Sequence, residues 1–287
     1  MTDNPIALDD RPAASVRASA FRRRLRAVAV GVGPVLVAIA VWWIVALILG
    51  RARVYPTPDV VAKTLVEILQ GKGQLGSSYA HVAATMGRLL AAFSVAIVVG
   101  TGLGVLAGRV RVVFSLVENI VWVFMAVPSI VWVFIFVVAM GISEVVPVAA
   151  VAALLTPMVL VNVAEGAKSV PADIVEMSRS YKATTWQRLT GVFLPYLVPY
   201  IAASARTSFA LGVKLVVVAE VVGLASGVGY ELNYWYDRLF MGPIVAWGIV
   251  MIVIGLVVDY GVFGPIERRV GRWKGRPVGD AAIGRIG

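Results

Sequence analysis

The sequence predicts an all-α membrane protein with a six-transmembrane-helix bundle, and both composition and patterning support this fold class. The chain has 287 residues, is 60% hydrophobic and has a mean hydropathy of +0.87. It contains several apolar runs of about the 20 residues that a helix needs to cross the hydrocarbon core of a bilayer. Short polar breaks separate these runs, such as GRVRV at 108–112 and GISE at 141–144.

The apolar runs place six predicted spans along the chain. The polar and basic segment 1–27 precedes the first span, which lacks a small-residue cleavage site and is therefore interpreted as an uncleaved helix. A basic tail, 265–287, follows the last span, so the bundle itself is predicted to occupy 28–264. The predicted spans are 28–49, 86–108, 112–139, 144–165, 203–224 and 243–264.

A shorter helix is predicted between the first two spans. In the stretch PTPDVVAKTLVEILQGKG, the apolar pairs Val60/Val61 and Ile68/Leu69 recur at helical spacing. This pattern predicts an amphipathic helix at the membrane interface. PTPD is typical of a helix start, and GKG is typical of a helix stop.

Basic residues determine the predicted orientation, because segments that flank the spans are enriched in Lys and Arg on the cytoplasmic side. Of the 26 Lys and Arg residues, eighteen lie in the two tails, in 109–111 and in 166–202. The alternate segments, 50–85, 140–143 and 225–242, together hold five. This asymmetry predicts that both termini and the segment 166–202 are cytoplasmic.

The residue types present exclude several kinds of chemistry. The chain has no cysteine, which excludes disulfides, thiolate catalysis and Cys-ligated metals. Its one histidine, His81, argues against a His-based metal site, so no metal site is predicted. The stretches GKGQLGSS and GRWKGRP both lack the spacing of the nucleotide-binding motif G-x-x-x-x-G-K-[ST], and no catalytic set is apparent. We therefore expect no enzymatic activity, no bound cofactor and no nucleic-acid partner.

The most patterned polar stretch lies inside the predicted cytoplasmic segment, at 171–195. Apolar residues recur there at helical spacing, and the triplet KAT at 182–184 interrupts the pattern. Pro171 suits the first turn of a helix, and Thr184 or Thr185 suits the N-cap of another. The pattern predicts two short helices with an apolar and basic surface, which would either lie flat on lipid or dock on another protein.

This stretch resembles the coupling loop of ABC importer permeases, whose pattern is roughly E-A-A, three residues, G, about nine residues and I-x-L-P. The Glu, the spacing and the L-P match, whereas both Ala positions and the Gly do not. Lys182 stands at the Gly position, where a left-handed backbone costs a residue with a side chain roughly 1 kcal/mol. The resemblance implies docking on an ATP-hydrolysing subunit through Glu176, Met177, Ser178, Lys182, Ala183, Trp186, Leu194 and Pro195.

Three further stretches resemble the nitrate, sulfonate and taurine branch of these permeases: YPTPDVVAKTLVEIL after the first span, VVVAEVVGLASGVGY at 216–230 and ERRVGRW at 267–273. The resemblance implies a bundle of the type I ABC importer permease kind in the inner membrane of a prokaryote. It implies a homodimer with two cytoplasmic ATPase subunits, which bind ATP and Mg²⁺, and an extracytoplasmic substrate-binding protein. Nitrate, sulfonates, taurine, bicarbonate and uncharged or zwitterionic vitamin precursors all fit this branch as substrates.

Glycines recur every four residues in the second predicted span, at Gly100, Gly104 and Gly108. This spacing places them on one face of a helix, where backbones can approach closely. The face is predicted to pack against a neighbouring helix, with direct contact to substrate as the alternative.

Two prolines interrupt predicted spans, Pro128 in the third and Pro157 in the fourth. Each frees a backbone carbonyl one turn earlier, which is tolerated only against protein or a water-lined path. Both positions, together with Ser129, are therefore predicted either to kink packed helices or to line a translocation path.

Four ionisable residues within the predicted spans are candidates for function, because a charge in the membrane is costly. Arg206 and Asp259 fall near the cytoplasmic ends of the last two spans and are predicted to form an ion pair. Lys214 falls near mid-membrane, where it would attract an anionic substrate, snorkel or pair with another residue. Glu220, near the outer end, is predicted to hold either helix packing or an outer gate.

Two other classes of protein remain open at this point. An ion-coupled secondary transporter would need inverted repeats and more intramembrane carboxylates than Glu118, Glu220 and Asp259. A membrane enzyme or scaffold would need a catalytic cluster or a large soluble domain, and the sequence has neither. The sequence therefore favours a permease that is driven by ATP hydrolysis on a partner.

Overall fold

The computed structural model describes residues 33–73 and 75–271, and this part of the chain is almost entirely helical. The predicted N-terminal tail, the start of the first predicted span and most of the basic C-terminal tail lie outside the described residues. The described part of the first span is helix α1, Gly33–Leu49.

The predicted amphipathic helix is present as α2, Pro58–Leu69. Its buried side chains, Val61 and Ile68, lie in a core cluster with Trp247 of the last long helix. Because burial of a large apolar side chain contributes roughly 1.5–3 kcal/mol, these contacts hold α2 on the bundle. A short antiparallel hairpin, which the sequence did not predict, follows it: β1, Lys72–Gly73, and β2, Gly76–Ser77.

Three long helices form the centre of the bundle: α3, Ser78–Arg109; α6, Val145–Lys168; and α9, Leu194–Val221. α3 begins before the predicted residue 86, because polar residues in its first turns, among them His81 and Thr85, are buried by protein. The core between the long helices is rich in alanine, which lets the helices approach closely. Its buried members include Leu89, Ala92, Ala96, Ala150, Val151, Leu155, Phe209 and Val216.

The predicted third span, 112–139, is two helices that meet at 97°. α4, Arg111–Ala126, ends before the dipeptide Val127-Pro128, and α5, Ser129–Met140, begins after it. Proline lacks an N–H and clashes with the preceding turn, and it favours an extended conformation in the residue before it. Accordingly, Val127 has a ψ of 129°. The break is therefore sharper than a kink in one helix.

The remaining elements are short except for one. Between α6 and α9 lie α7, Ala172–Ser180, α8, Thr185–Arg188, and a π-helical turn, Leu189–Phe193. After α9 come α10, Val228–Asp237, α11, Met241–Val258, a second π-helical turn, Asp259–Phe263, and α12, Gly264–Gly271. The sequence did not predict α10, because its polar residues led us to assign 225–242 to a loop.

Four helical runs in the described residues are long and apolar enough to cross a membrane: Ser78–Arg109, Val145–Lys168, Thr185–Val221 and Met241–Val270. The bent pair α4–α5 would be a fifth, whereas α1 is shorter than a span within the described residues. The described part of the chain therefore contains four or five of the six predicted spans.

Candidate functional site

Helices α7 and α8 are joined by a tight turn with a Schellman motif. The Lys182 N–H donates to the Arg179 carbonyl at 2.8 Å, and the Ala183 N–H donates to the Ser178 carbonyl at 3.1 Å. This pair of hydrogen bonds defines the motif. The motif requires a left-handed backbone conformation at the first residue after the helix cap. Lys182 takes that conformation, with a φ of +52°. The lysine therefore keeps the turn that a glycine would make, at a cost of roughly 1 kcal/mol.

The start of α8 is fixed by a capping box. The backbone N–H of Gln187 donates to the Thr184 hydroxyl at 3.3 Å, and the Thr184 N–H donates to the Gln187 side-chain oxygen at 2.8 Å. The two bonds satisfy two donors that a helix start would otherwise leave unpaired. Hydrogen bonds from both helices therefore set the angle between α7 and α8.

The α7–α8 loop carries large side chains that the chain itself does not cover. Met177, Tyr181 and Trp186 are 57%, 81% and 71% exposed, and we call these three residues the loop surface. Glu176, Lys182, Leu194 and Pro195 are also exposed, and Ala183 is half-buried. Ser178 is buried, and its hydroxyl donates to the Val175 carbonyl at 2.6 Å. Among the predicted loop residues, Ser178 therefore differs in having a buried side chain, which stabilises α7 from its inner face.

The inner side of the loop is packed on the ends of the long helices. Phe193 is buried in a cluster with Val163 of α6 and Leu197 of α9, and Val175 of α7 packs against the same cluster. The Arg109 guanidinium at the end of α3 lies 3.7 Å from the centre of the Phe193 ring. The loop is therefore packed against the ends of three long helices.

The predicted ion pair between α9 and the end of α11 is confirmed. The Arg206 guanidinium donates to both carboxylate oxygens of Asp259, at 2.6 and 2.7 Å, and also to Glu267 of α12. A bidentate arginine–carboxylate pair fixes the relative orientation of its two partners. The pair therefore ties the last two spans together near one end.

Lys214 lies on the wall of a groove between α9 and α11, with a cavity volume of about 440 Å³. Most of the wall is apolar, and its other charged residues, Arg206 and Asp259, neutralise each other. Within the described residues, Lys214 has neither an ion pair nor a side-chain hydrogen bond. The groove therefore holds one uncompensated positive charge in an apolar setting. The lining comprises Arg206, Phe209, Ala210, Val213, Lys214, Val217, Leu232, Gly248, Met251, Ile252, Gly255, Leu256 and Asp259.

The other residues predicted for a translocation path lie in different surroundings. Pro128 is exposed at the bend between α4 and α5, and Ser129 beside it is half-buried. Pro157 is buried within α6, and Glu220 is fully buried near the end of α9. Two of the five predicted path residues therefore lie inside the protomer and three lie at its surface.

Glu220 belongs to a buried polar network that the sequence did not reveal. The Arg88 guanidinium of α3 donates to Glu220 at 2.5 Å, to Glu144 at 2.7 Å and to the Ser226 hydroxyl at 2.5 Å. The Thr85 hydroxyl donates to the other Glu220 oxygen at 2.8 Å. The network therefore joins α3, the start of α6, α9 and the turn before α10.

Two glycines let the chain turn close over Glu220. Gly227 has a φ of +107°, and a Cβ at this residue would overlap the Glu220 carboxylate. The Gly229 N–H donates to that carboxylate at 2.9 Å. The only signal in the sequence is the G-x-G spacing seven residues after Glu220. The apolar pattern does not reveal it, because the two glycines lie just beyond the predicted span 203–224, in the segment 225–242 that is predicted to be a loop.

The three glycines of α3 lie against α6. A Cβ at Gly100 would come within 2.7 Å of Val159, and one at Gly104 would come within 2.7 Å of the Leu160 carbonyl. Gly108 meets Ala164 and Ala167 in the same way. The glycine face is therefore filled by protein along its length.

Comparison with known proteins places this geometry in a family. Residues 100–271 match the family model described as the inner membrane component of binding-protein-dependent transport systems. The match covers more than half of the chain, including the α7–α8 loop, the groove and the ion pair. The chain belongs to this family. The helices described above are therefore those of a transport permease.

Individual relatives agree with this assignment. The permease is 25% identical to the taurine transport system permease protein TauC of Escherichia coli, over 87% of this chain and 91% of TauC. It is 26% identical to the putative aliphatic sulfonates transport permease protein SsuC of Bacillus subtilis, over 83% and 85%. A solved structure of the MetNI methionine ABC transporter, in an inward-facing conformation, matches with a TM-score of 0.57 at 20% identity, over 67% of this chain and 94% of that one.

Within the permease, the contacts divide the candidate residues by task. The α7–α8 loop presents a stiff, uncovered surface at one end of the long helices. The Arg88–Glu220 network and the glycine face hold α3, α6 and α9 to one another. In the groove, Lys214 is the one positive charge of the lining that no other described residue compensates.

Proposed function

We propose that this permease is the membrane-spanning subunit of an ATP-driven importer for a small solute with an anionic group, such as a sulfonate, taurine, nitrate or bicarbonate. It works as a homodimer, with one ATPase subunit docked on each α7–α8 loop and an extracytoplasmic binding protein that delivers the substrate. ATP and Mg²⁺ bind to the ATPase subunits. The observation that carries the proposal is the exposed loop surface on a member of this family.

The proposed bundle has six spans over 28–264, in the inner membrane of a prokaryote, with both termini cytoplasmic. The first proposed span, 28–49, includes α1, and the bent pair α4–α5 supplies the third. The asymmetry of Lys and Arg supports this orientation. The loop segment 166–202 then lies in the cytoplasm, where the ATPase is.

The chemistry of the loop surface favours a protein partner over lipid. Methionine and aromatic side chains are enriched where proteins bind one another, and they contribute much of the binding energy there. The Schellman motif and the capping box hold the two helices in one arrangement. The loop therefore suits a rigid docking element.

Transport follows alternating access by rigid-body motion of the two protomers. ATP binding closes the two ATPase subunits and moves the two docked loops together. The cluster around Phe193 passes this motion to the ends of α3, α6 and α9. The path then opens outward to receive substrate, and hydrolysis returns it to the inward-facing state.

Lys214 is the residue that we propose for attraction of the substrate. A positive charge in an apolar groove is costly unless an anion compensates it. In the homodimer the groove between α9 and α11 faces the central path, and Pro128 and Ser129, at the bend between α4 and α5, also line that path. An uncharged or zwitterionic vitamin precursor is the alternative substrate, and it would leave Lys214 without this role.

The arrangement of carboxylates disfavours an ion-coupled secondary transporter. Such a transporter needs a free intramembrane carboxylate that binds and releases the coupling ion. Glu220 and Asp259 are each held by an arginine, at 2.5 and 2.6 Å. Only Glu118, exposed on α4, lacks such a partner among the three candidate carboxylates in the described residues.

Co-purification with the ATPase encoded beside the permease tests the proposal. We expect the double variant Glu176→Arg/Trp186→Asp to lose the ATPase, because it places charge on the docking surface. The matched control is Glu67→Arg/Tyr236→Asp, which makes the same kinds of change at exposed residues outside the loop. A complex that survives the loop variant would reject the loop as the docking site. Uptake driven by an ion gradient without any ATPase would reject the importer.

A further inference from the structure

A second cavity lies behind the α7–α8 loop, with a volume of about 490 Å³ and a mostly polar lining. It is bounded by the ends of α3 and α6 and by α7 and α8. Four basic residues line it, Arg109, Lys168, Arg179 and Arg188, together with apolar side chains such as Phe193. We call it the basic cavity. Its volume lies within the range that small-molecule pockets occupy.

The charges of the basic cavity are not balanced within the described residues. No Asp or Glu is among the described residues that line it. Lys168 is paired with Glu165 at 2.9 Å, but Arg109, Arg179 and Arg188 form no ion pair with any carboxylate that the structure describes. Like charges at this proximity raise the energy of the site, and a bound anion would lower it.

Arg188, which lines the cavity, has one N–H group that is both buried and unpaired. The Nε of Arg188 is inaccessible to solvent and has no hydrogen-bond partner among the described residues. Burial of an unpaired donor on a charged group costs at least 1–3 kcal/mol, by rough estimate. The guanidinium also reaches Thr185 only through a long contact of 3.4 Å. Because Arg188 lines the cavity, an acceptor bound there would meet the terminal N–H groups of its guanidinium, and it would not reach the buried Nε.

The depth of the cavity indicates where the anion comes from. Arg109 and Lys168 are the last residues of two helices that are long enough to cross the membrane. Beyond Arg109, the residues on either side of Arg111 are Val110 and Val112, and both are exposed and apolar, as expected of a surface that meets acyl chains. The cavity therefore lies at the level of lipid headgroups, where a basic pocket between helices suits a phosphate.

We infer that the basic cavity binds a phosphate group, delivered by an anionic phospholipid of the cytoplasmic leaflet. The inference depends on the proposed orientation of the loop, but not on transport. A phosphate that bridges Arg109 of α3 and Arg188 of α8 connects the membrane to the base of the coupling loop. The bound lipid thus stabilises the loop in its docked position.

Lipid binding by the purified full chain in detergent tests the inference, with native mass spectrometry as the measurement. The probes are phosphatidylglycerol, phosphatidylcholine and inorganic phosphate, at low and high salt. We expect phosphatidylglycerol to be retained in preference to phosphatidylcholine, and high salt to weaken it. Each basic residue near an anionic surface contributes roughly fivefold in affinity, so Arg179→Gln/Arg188→Gln is expected to lower retention roughly 25-fold.

Two further variants make this result specific. Arg179→Lys/Arg188→Lys keeps the charge and is expected to keep most of the binding. Lys63→Gln removes an exposed charge on α2, outside the cavity, and is expected to change nothing. Competition by millimolar inorganic phosphate would identify free phosphate as a second source of the same group. Failure of that competition would identify the lipid as the sole source.

Equal retention of phosphatidylglycerol by the wild type and by the glutamine double variant would overturn the inference. If the same variant also loses the ATPase subunit, the cavity is assigned instead to a carboxylate of the partner protein. Neither outcome depends on uptake, so failure here leaves the importer proposal intact. Failure of the importer proposal likewise leaves the lipid measurement valid.

Discussion

Nη1 of Arg88 lies 2.5 Å from Oε1 of Glu220, and both side chains are buried although 132 positions separate them in the chain. Removal of one partner of a buried pair leaves the other charge uncompensated, at a cost of about 3–5 kcal/mol. We therefore expect Arg88→Met to lower the midpoint of thermal unfolding in detergent strongly. The midpoint should fall less for the double variant Arg88→Met/Glu220→Met than for the single variant, because the double variant leaves no buried charge unpaired. Glu144, the other carboxylate that Arg88 contacts, is exposed to solvent.

The matched control for this prediction is Arg238→Met, which removes an exposed arginine. Arg238 stacks on Tyr234 and donates to the Tyr234 carbonyl, so its contacts are local. We expect the free energy of unfolding of this variant to change by less than about 1 kcal/mol, as for most surface substitutions. If Arg88→Met lowers the midpoint of thermal unfolding no more than Arg238→Met does, the buried network does not stabilise the bundle.

The left-handed conformation of Lys182 predicts that glycine stabilises the loop. Lys182→Gly should relieve roughly 1 kcal/mol of backbone strain. Hydrogen exchange of the Ala183 amide, which donates to the Ser178 carbonyl, is the measurement. We expect its protection to rise about fivefold, since 1 kcal/mol corresponds to that factor.

Two variants separate backbone strain from the charge of Lys182. Lys182→Asn also removes the charge, and asparagine tolerates the left-handed region, so a smaller gain is expected. Ser180→Gly lies in the last turn of α7, where glycine should lower protection, because it costs roughly 0.5–1 kcal/mol in a helix. Equal effects of glycine at both positions would contradict the assignment of strain to Lys182.

The glycine face of α3 predicts opposite effects at two neighbouring glycines. A Cβ at Gly104 would meet the Leu160 carbonyl and Val163, whereas a Cβ at Gly102 meets nothing within 4 Å. Gly104→Ala should therefore destabilise by about 1–3 kcal/mol through overpacking. Gly102→Ala should be neutral or stabilise by up to about 1 kcal/mol. Thermal unfolding of both variants decides this, and similar midpoints would reject the close approach of α3 and α6.

The uncompensated charge of Lys214 in the groove predicts that uptake of an anion depends on this charge. Two unit charges at about 6 Å interact by roughly 2–3 kcal/mol at an effective dielectric of about 20. We therefore expect Lys214→Met to lower uptake of an anionic solute, such as taurine or nitrate, by at least about tenfold. Lys214→Arg should keep most of it. Uptake into proteoliposomes that contain the ATPase and the binding protein is the measurement.

Assembly with the ATPase is the control for Lys214→Met, because Lys214 lies in the groove and not on the loop surface. Lys214→Met should co-purify with the ATPase as the wild type does, and its ATP turnover without substrate should be unchanged. Unchanged uptake by this variant would remove the role of Lys214 in attraction of an anion. It would then favour an uncharged substrate.

Local patterns in the sequence were sufficient for much of the architecture. The amphipathic helix α2 was predicted from its apolar spacing and is present as Pro58–Leu69. The pair Arg206–Asp259 was predicted because both residues fall near the same end of adjacent spans. The start of α3 was placed too late, because its first turns carry polar residues that only their burial explains. Hydropathy cannot distinguish a polar residue in water from one that is hydrogen-bonded inside protein.

By itself the sequence determined the class of the molecule, the approximate spans and the place of the α7–α8 loop. These features depend on hydropathy and helical period, which are properties of residues that are close together in the chain. Only the tertiary structure decided that Pro128 turns the chain by 97°, that Glu220 is held by Arg88, and that four basic residues meet behind the loop. These relationships join residues that are distant in the chain, or depend on packing around a break. The energy of each of these contacts depends on which helices lie side by side, and no local pattern in the sequence contains that information.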